Sequence, residues 1–170
     1  MNDSARCILV MGVSGSGKSH IGRDIAVAMG AEFIDADDHH SPLNVAKMAR
    51  GEPLDDEDRK EWLMTLSDLF DHYRRQGRDV VIACSALKKR YRDVLRQGAP
   101  ALNILYLEAS RNVLLKRLSA RKTHFFTGEH MLDSQLQTLE PPNDDEAICL
   151  DVRYSPKAIV ERFLAQLNER

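Results

Sequence analysis

The sequence predicts an α/β fold in three layers, with a five-stranded parallel sheet and helices on both faces. Five short apolar segments alternate with helical patterns, at residues 7–11, 32–35, 79–84, 102–107 and 147–152. Near-continuous apolar strands separated by helices are typical of a parallel sheet that is covered on both sides. Helix start and stop signals support these element boundaries. Gly30, Gly77 and Gly98 fall where helices should end, and Ser155-Pro156 is a typical helix start.

The composition is that of an ordinary globular protein. The chain has 170 residues, of which 43% are apolar and 29% are charged, and its net charge is -2. We expect one domain over residues 1–170, since no linker or repeat divides the chain. The charge gives no reason to expect nucleic acid as a partner. No apolar run approaches the roughly 20 residues of a membrane span, and no secretory signal is visible, so we expect no membrane association and a cytoplasmic location.

The clearest motif follows the first apolar segment, with the sequence Gly12-Val13-Ser14-Gly15-Ser16-Gly17-Lys18-Ser19. A strand before the motif and a helix after it form the context in which such a loop binds phosphate. Its backbone N–H groups and the helix start suit phosphate oxygens, so we assign all eight residues to ATP binding. Lys18 is predicted to act as a catalytic cation at the β- and γ-phosphates, and Ser19 to ligate Mg²⁺. The alternative, a glycine-rich turn that binds nothing, is disfavoured by this context.

Two aspartates end the second predicted strand. In an open α/β sheet, ligands bind outside the carboxyl ends of the strands, so Asp35 and Asp37 should lie near the γ-phosphate. We assign Asp35 to the Mg²⁺ site and Asp37 to the role of catalytic base for an attacking hydroxyl. The alternative is a pair of solvated loop aspartates that cap the next helix.

Two long stretches interrupt the regular alternation. The first is a substrate-binding helical excursion over residues 37–76, whose polar first part suits a site and whose second part, 58–75, has one apolar helical face. The second is an irregular stretch over about 121–130, which we predict to be a mobile lid.

Basic residues cluster at two further places. Arg117 and Arg121 are four residues apart on a predicted helix that leads into the lid, and both are assigned to ATP, with Arg121 as a catalytic arginine. A solvated basic face is the alternative. The stretch 85–93 begins at the end of the third strand and is strongly basic, so Lys88 and Arg92 could hold an anionic substrate. Arg59 is a similar candidate, and a plain helix surface is the alternative for these residues.

Beyond the phosphate loop, four blocks carry a more specific pattern. They are D-A-D-D-H-H-S-P-L-N-V-A-K-M from Asp35, G-E-P-L-D-D-E-D-R followed by W-L from Gly51, C-S-A-L-K-K-R-Y-R-D from Cys84, and R-K-T-H-F-F from Arg121. They are similar to D-G-D-x-L-H-P-x-x-N-x-x-K-M, G-x-P-L-x-D-x-D-R-x-x-W-L, C-S-A-L-K-K-x-Y-R-D and R-x-x-H-F, the patterns of the gluconate kinases (gluconokinases) in the P-loop kinase group. These blocks run to about Pro142, so the resemblance covers nearly the whole chain.

This resemblance implies a P-loop kinase fold and the phosphorylation of D-gluconate to 6-phospho-D-gluconate, with ATP and Mg²⁺, by a homodimer. The product would feed sugar-acid carbon into the pentose phosphate or Entner-Doudoroff route. The substrate contacts it implies are Asp37, His40, Arg59, Lys88, Arg92 and His124. Ala36, His39 and Ser41 depart from the family pattern in the loop that should shape the sugar pocket, so preference for another sugar acid stays open.

Two rival functions share the phosphate loop. A shikimate-type kinase also has Asp-x-Asp after its second strand, but the blocks around Arg59 and Lys88 argue against it. A GTPase-like switch would need N-K-x-D and a D-x-x-G after the third strand, and the sequence contains neither.

Overall fold

The computed structural model describes residues 5–120 and 125–170, and its elements alternate as predicted. In chain order the elements are β1 (Cys7–Met11), α1 (Lys18–Met29), β2 (Glu32–Asp35), a 3₁₀ turn (Ala36–His39), α2 (Pro42–Ala49), α3 (Asp56–Arg75), β3 (Val80–Ala83), α4 (Lys89–Gly98), β4 (Asn103–Glu108), α5 (Arg111–Ser119), α6 (Phe125–Thr138), β5 (Ile148–Asp151) and α7 (Pro156–Asn168).

The five strands form one parallel sheet in the order β2-β3-β1-β4-β5. This confirms the predicted fold class. β1 lies at the centre, and the chain leaves it to build one half of the sheet and returns to build the other. The carboxyl end of β1 is therefore the topological switch point, where ligands bind in sheets of this kind.

Side chains alternate between the two faces of the sheet. Cys7, Leu9 and Met11 of β1 belong to a buried cluster formed with α3 and α4. Ile8 and Val10 point the other way, into a second cluster formed with α1 and α7. Because both faces of the central strand are fully covered, the strand has no polar side chain, as its apolar sequence predicts.

A third, smaller apolar cluster lies under the loop that follows β1. Val13 of that loop packs with Leu87 and with side chains of α5 and α6, among which Leu114 and Leu132 are fully buried. The phosphate loop therefore rests on α5 and α6 as well as on the sheet.

The structure adds detail to one expectation, the helical excursion over 37–76, and differs from another. The polar stretch after β2 contains a helix, α2, which Ser41 caps by accepting a hydrogen bond from the Asn44 N–H at 3.2 Å. The predicted lid stretch is helical from Phe125 onward, so the expectation of irregular structure was wrong there. Residues 121–124 lie outside the described residues, and the mobility of the lid stays a prediction.

The contact between α3 and α4 requires a glycine at the end of α4. A Cβ atom on Gly98 would lie 1.9 Å from the Ser67 carbonyl oxygen, so a larger residue would push the two helices apart. Among the described residues, no helix has both the length and the apolar character needed to cross a membrane.

Candidate active site

The loop between β1 and α1 has the geometry of a phosphate cradle. Gly17 begins α1 at φ 94°, a left-handed conformation that turns the loop into the helix start and that side chains disfavour. The Lys18 ammonium folds back over the loop and donates to the Val13 carbonyl at 3.4 Å. Burial lowers the pKa of Lys18, and the nearby Asp37 and Asp35 carboxylates oppose that shift. A half-buried cation thus lies over a glycine-rich loop at the start of a helix, an arrangement that suits anion binding.

Asp35 connects this loop to the end of β2. Its Oδ2 accepts a hydrogen bond from the Ser19 hydroxyl at 3.0 Å, and its Oδ1 accepts one from the Asp37 N–H at 3.0 Å. One carboxylate therefore fixes both the first turn of α1 and the 3₁₀ turn that carries Asp37. Ser19 and Asp35 bring two hard oxygen atoms together, which is the chemistry that Mg²⁺ prefers.

Asp37 points away from the packed interior, and its side chain is 84% exposed. His40 lies behind it, with Nε2 4.0 Å from Asp37 Oδ1, and its own side chain is only 4% exposed. The His40 ring stacks on Trp62 at a centroid distance of 4.1 Å, and Trp62 Nε1 donates to the Ala36 carbonyl at 2.7 Å. Burial lowers the pKa of His40, so the imidazole beside Asp37 is neutral at pH 7.

Charged side chains meet where α3 and α4 begin. The Asp56 carboxylate accepts hydrogen bonds from Lys88 at 3.4 Å, from Arg90 and from the Tyr91 hydroxyl. Arg59 donates to the same Tyr91 hydroxyl at 3.2 Å. Two cations contact the one carboxylate and a third contacts the Tyr91 hydroxyl, so the cluster keeps a net positive charge.

Arg92 has a different environment from the one predicted. Its side chain is 1% exposed, and it makes a two-pronged ion pair with Glu146 at 2.9 and 3.2 Å. Its remaining N–H groups donate to the carbonyls of Ala86, Leu87 and Glu140. The prediction that Arg92 contacts substrate was wrong, because every donor of the guanidinium is already used inside the protein. Arg92 instead fixes the turn that carries Lys88.

Arg117 lies on the opposite side of the phosphate loop. It donates to the Gly15 carbonyl at 3.0 Å and to the Val152 carbonyl at 3.1 Å, and thereby links the loop to the end of β5. An open cavity of about 400 Å³ extends from this point, lined by Gly15, Ser16, Gly17, His20, Ile21, Arg117, Ala120, Val152, Tyr154, Pro156 and Ile159. Two other predicted site residues, Arg121 and His124, lie outside the described residues.

Comparison with known proteins agrees with this geometry. A family model described as an AAA domain matches residues 7–142. The thermoresistant gluconokinase of Escherichia coli (strain K12) is 46% identical over 89% of this chain and 86% of its own length. This chain belongs to the gluconokinase family. The resemblance seen in the sequence blocks is confirmed.

Two solved structures have the same fold over nearly their full length. A gluconokinase from Sinorhizobium meliloti 1021 is 42% identical with a TM-score of 0.86, over 96% of this chain and 92% of that one. An unliganded sugar kinase from Janibacter sp. HTCC2649 is 46% identical with a TM-score of 0.89, over 96% and 95% of the two chains. The gluconokinase fold therefore covers 96% of this chain.

The structure also explains departures from the gluconokinase sequence pattern. Ala36, which replaces a glycine, is fully buried, and its carbonyl receives the Trp62 hydrogen bond. Ser41, which replaces a proline, caps α2. Both replacements thus fit the local structure of the gluconokinase chain, and only His39 projects freely into solvent.

Sequence reasoning missed three residues of the site region. Trp62 was expected only in the core, yet it carries His40 on its face. Asp56 was not singled out, although it gathers the basic residues of α4. Gln135 was missed because its partner, the Ser14 N–H at 2.6 Å, is 121 residues away in the chain. No local spacing could reveal such a contact.

Proposed function

We propose that this chain transfers the γ-phosphoryl group of ATP to a hydroxyl of D-gluconate and releases ADP and 6-phospho-D-gluconate. Its membership of the gluconokinase family supports the reaction. The observation that carries the proposal is the meeting of three parts at one edge of the sheet. These parts are the phosphate loop with Lys18, the Ser19–Asp35 pair, and the exposed Asp37.

The triphosphate would bind over the phosphate loop. The residues Gly12, Val13, Ser14, Gly15, Ser16, Gly17, Lys18 and Ser19 form the cradle in this proposal, with the Ser14 N–H held by Gln135 and the Ser16 N–H by the Val13 carbonyl. The Lys18 ammonium already lies above the loop, where β- and γ-phosphate oxygens would replace the Val13 carbonyl as its partner. The cavity beside Arg117 and Tyr154 then takes the nucleobase, since it opens directly from the loop.

Ser19 and Asp35 would hold Mg²⁺. Their oxygen atoms are 3.0 Å apart, and both residues lie beside the phosphate loop. Mg²⁺ usually takes only one or two ligands from the protein and completes its coordination with phosphate oxygens and water. The bound ion would supply charge neutralisation between the β- and γ-phosphates.

Asp37 is the proposed catalytic base. Its carboxylate would accept the proton of the attacking hydroxyl while the hydroxyl oxygen forms a bond to the γ-phosphorus. The bond from that phosphorus to the β,γ-bridging oxygen breaks at the same time, and ADP leaves. His40 cannot repel an incoming proton, because its ring is neutral, and its stacking on Trp62 fixes the wall behind Asp37.

The acid group of the sugar acid would bind at the cluster around Tyr91. Arg59 and Lys88 supply positive charge there, and Arg59 can hold a carboxylate through two N–H groups. Asp56 holds Lys88, and the Tyr91 hydroxyl holds Arg59, before substrate arrives. Arg121 and His124 complete the proposal as a catalytic arginine and a substrate contact from the lid.

We also propose that residues 1–170 act as one domain, as a homodimer, in the cytoplasm. Apolar clusters on both faces of a single sheet support one domain. The exposed side chains of Leu43, Val45 and Met48 on α2 offer an apolar surface for a second copy. Light scattering of the purified protein would measure the mass in solution and so test the dimer.

A coupled assay of ADP release tests the function. We expect release with ATP, Mg²⁺ and D-gluconate, and release near background with shikimate or with no acceptor. Equal rates with and without gluconate would identify a nucleotidase and overturn the proposal. Mass spectrometry of the product gives the second readout, a gain of one phosphoryl group on gluconate.

A further inference from the structure

We propose that Gln135 is a positioning residue for Lys18 and acts through the peptide bond between Val13 and Ser14. The inference rests on the proposed function, since it assigns a role in phosphoryl transfer to a residue of α6. Gln135 was absent from every motif that pointed to the site, and its contribution is visible only in the folded chain.

A single peptide unit connects the two side chains. The Ser14 N–H donates to Gln135 Oε1 at 2.6 Å, and the Val13 carbonyl accepts from the Lys18 ammonium at 3.4 Å. That N–H and that carbonyl belong to the same planar trans peptide, so they point in opposite directions. Any rotation that turns the N–H away from Gln135 also turns the carbonyl away from Lys18.

The acceptor on α6 is itself held in place. Leu132, one turn before Gln135, is fully buried in the cluster with Val13 and Leu114. Arg111 of α5 binds Asp133 at 2.7 and 3.1 Å on the same helix. Gln135 therefore has a fixed backbone, and its carboxamide can set the orientation of the peptide.

The consequence concerns the cation that meets the triphosphate. Charge stabilisation in phosphoryl transfer is most effective when the cation is oriented before the transition state forms. Gln135 holds one side of this peptide and the Ser16 N–H, which donates to the Val13 carbonyl at 3.2 Å, holds the other, so the carbonyl stays turned toward Lys18 and the ammonium stays over the loop. Since α6 begins directly after the predicted lid, the same hydrogen bond links the position of this helix to that of Lys18.

The test compares three variants with the parent enzyme. Gln135→Leu removes the acceptor at similar size, Gln135→Glu keeps an acceptor, and Gln137→Leu makes the same change at an exposed position of the same helix. Hydrogen exchange of the Ser14 amide is measured without nucleotide, and kcat and KM are measured for ATP and gluconate.

We expect Gln135→Leu to speed exchange of the Ser14 amide about fivefold, the effect of losing one such hydrogen bond. We expect its kcat to fall roughly tenfold, because Lys18 loses its preset position, while KM for gluconate stays near the parent value. Gln135→Glu should keep slow exchange and a kcat between those of the parent and Gln135→Leu. Gln137→Leu should match the parent in every measurement.

Parent-like exchange and kcat in Gln135→Leu would overturn the proposal, and so would an equal loss of kcat in Gln137→Leu. If the parent does not phosphorylate gluconate, the proposed function fails separately. In that case two measurements still decide the role of Gln135. They are the hydrogen exchange of the Ser14 amide and the rate of ATP hydrolysis, in which water accepts the γ-phosphoryl group.

Discussion

The Ser19 hydroxyl donates a 3.0 Å hydrogen bond to Asp35 Oδ2, and this contact joins the first turn of α1 to the end of β2. The two residues belong to separate motifs in the sequence, 16 positions apart. Their pairing places two oxygen atoms side by side, where the proposed Mg²⁺ would bind. If the proposal holds, the dependence of activity on Mg²⁺ should involve both residues.

Ser19→Ala should raise the free Mg²⁺ concentration needed for half-maximal activity by roughly tenfold or more. The reason is that one oxygen ligand is lost and Asp35 loses a hydrogen bond. Activity measured against free Mg²⁺ at fixed ATP gives the result. Ser155→Ala is the control, because it removes a helix cap at α7 and should leave the Mg²⁺ dependence unchanged. An unaltered Mg²⁺ curve for Ser19→Ala would exclude Ser19 as a ligand.

Asp37→Asn should lower kcat by about 10²-fold or more, because the amide cannot accept the hydroxyl proton. The affinity for ATP, measured by calorimetry, should stay close to that of the parent. Asp38→Asn is the matched control, since its side chain is also exposed and neighbours Asp37. Parent-like turnover in the Asp37 variant would show that another group takes the proton.

Arg92→Leu should lower the free energy of unfolding by about 3 kcal/mol, the cost of breaking a buried ion pair. The substitution leaves Glu146 with Arg96 alone and removes the guanidinium donor from the Ala86 and Glu140 carbonyls, while the Leu87 carbonyl keeps the Glu140 N–H. Urea denaturation measures the loss. Arg153→Leu, which breaks an exposed pair with Asp151, should have little effect. Equal stability of the two variants would contradict the structural role of Arg92.

The stability of the protein should depend on pH through His40. Burial lowers the pKa of His40 in the folded state below the ordinary value of 6.5. The unfolded chain then binds a proton on His40 more readily than the folded chain does. The contribution of neutral His40 to the free energy of unfolding is therefore complete above pH 6.5 and is lost as the pH falls toward the folded pKa. We expect the free energy of unfolding, measured by urea denaturation, to fall less between pH 7.5 and pH 5.5 for His40→Gln than for the parent. Identical losses would mean that His40 is not the titrating group.

The sheet could be predicted because its strands are short apolar runs that glycines and helix caps delimit. The segments at 7–11 and 32–35 match β1 and β2 to the residue. The helical excursion over 37–76 was predicted as a whole, but α2 was not delimited within it, because Leu43 and Val45 are two positions apart and do not share one helical face. Its start at Ser41-Pro42 repeats the Ser155-Pro156 pattern that did predict α7, so a capping signal was available.

Some residues of the candidate site could be predicted from the sequence and others could not, for a physical reason. The phosphate loop and Asp35 lie at strand ends, where the position in the chain already fixes the position in space. Arg92 has the same local pattern as Lys88, but its partner Glu146 lies 54 residues further on. The burial of Arg92 depends on that distant carboxylate, which no local spacing shows.

The most direct test is a crystal structure with a non-hydrolysable ATP analogue, Mg²⁺ and D-gluconate bound together. We expect the phosphates in the loop at 12–19 and a gluconate hydroxyl about 3 Å from the Asp37 carboxylate, facing the γ-phosphorus. Gluconate bound away from Asp37, with no hydroxyl in line with the γ-phosphate, would contradict the proposed mechanism.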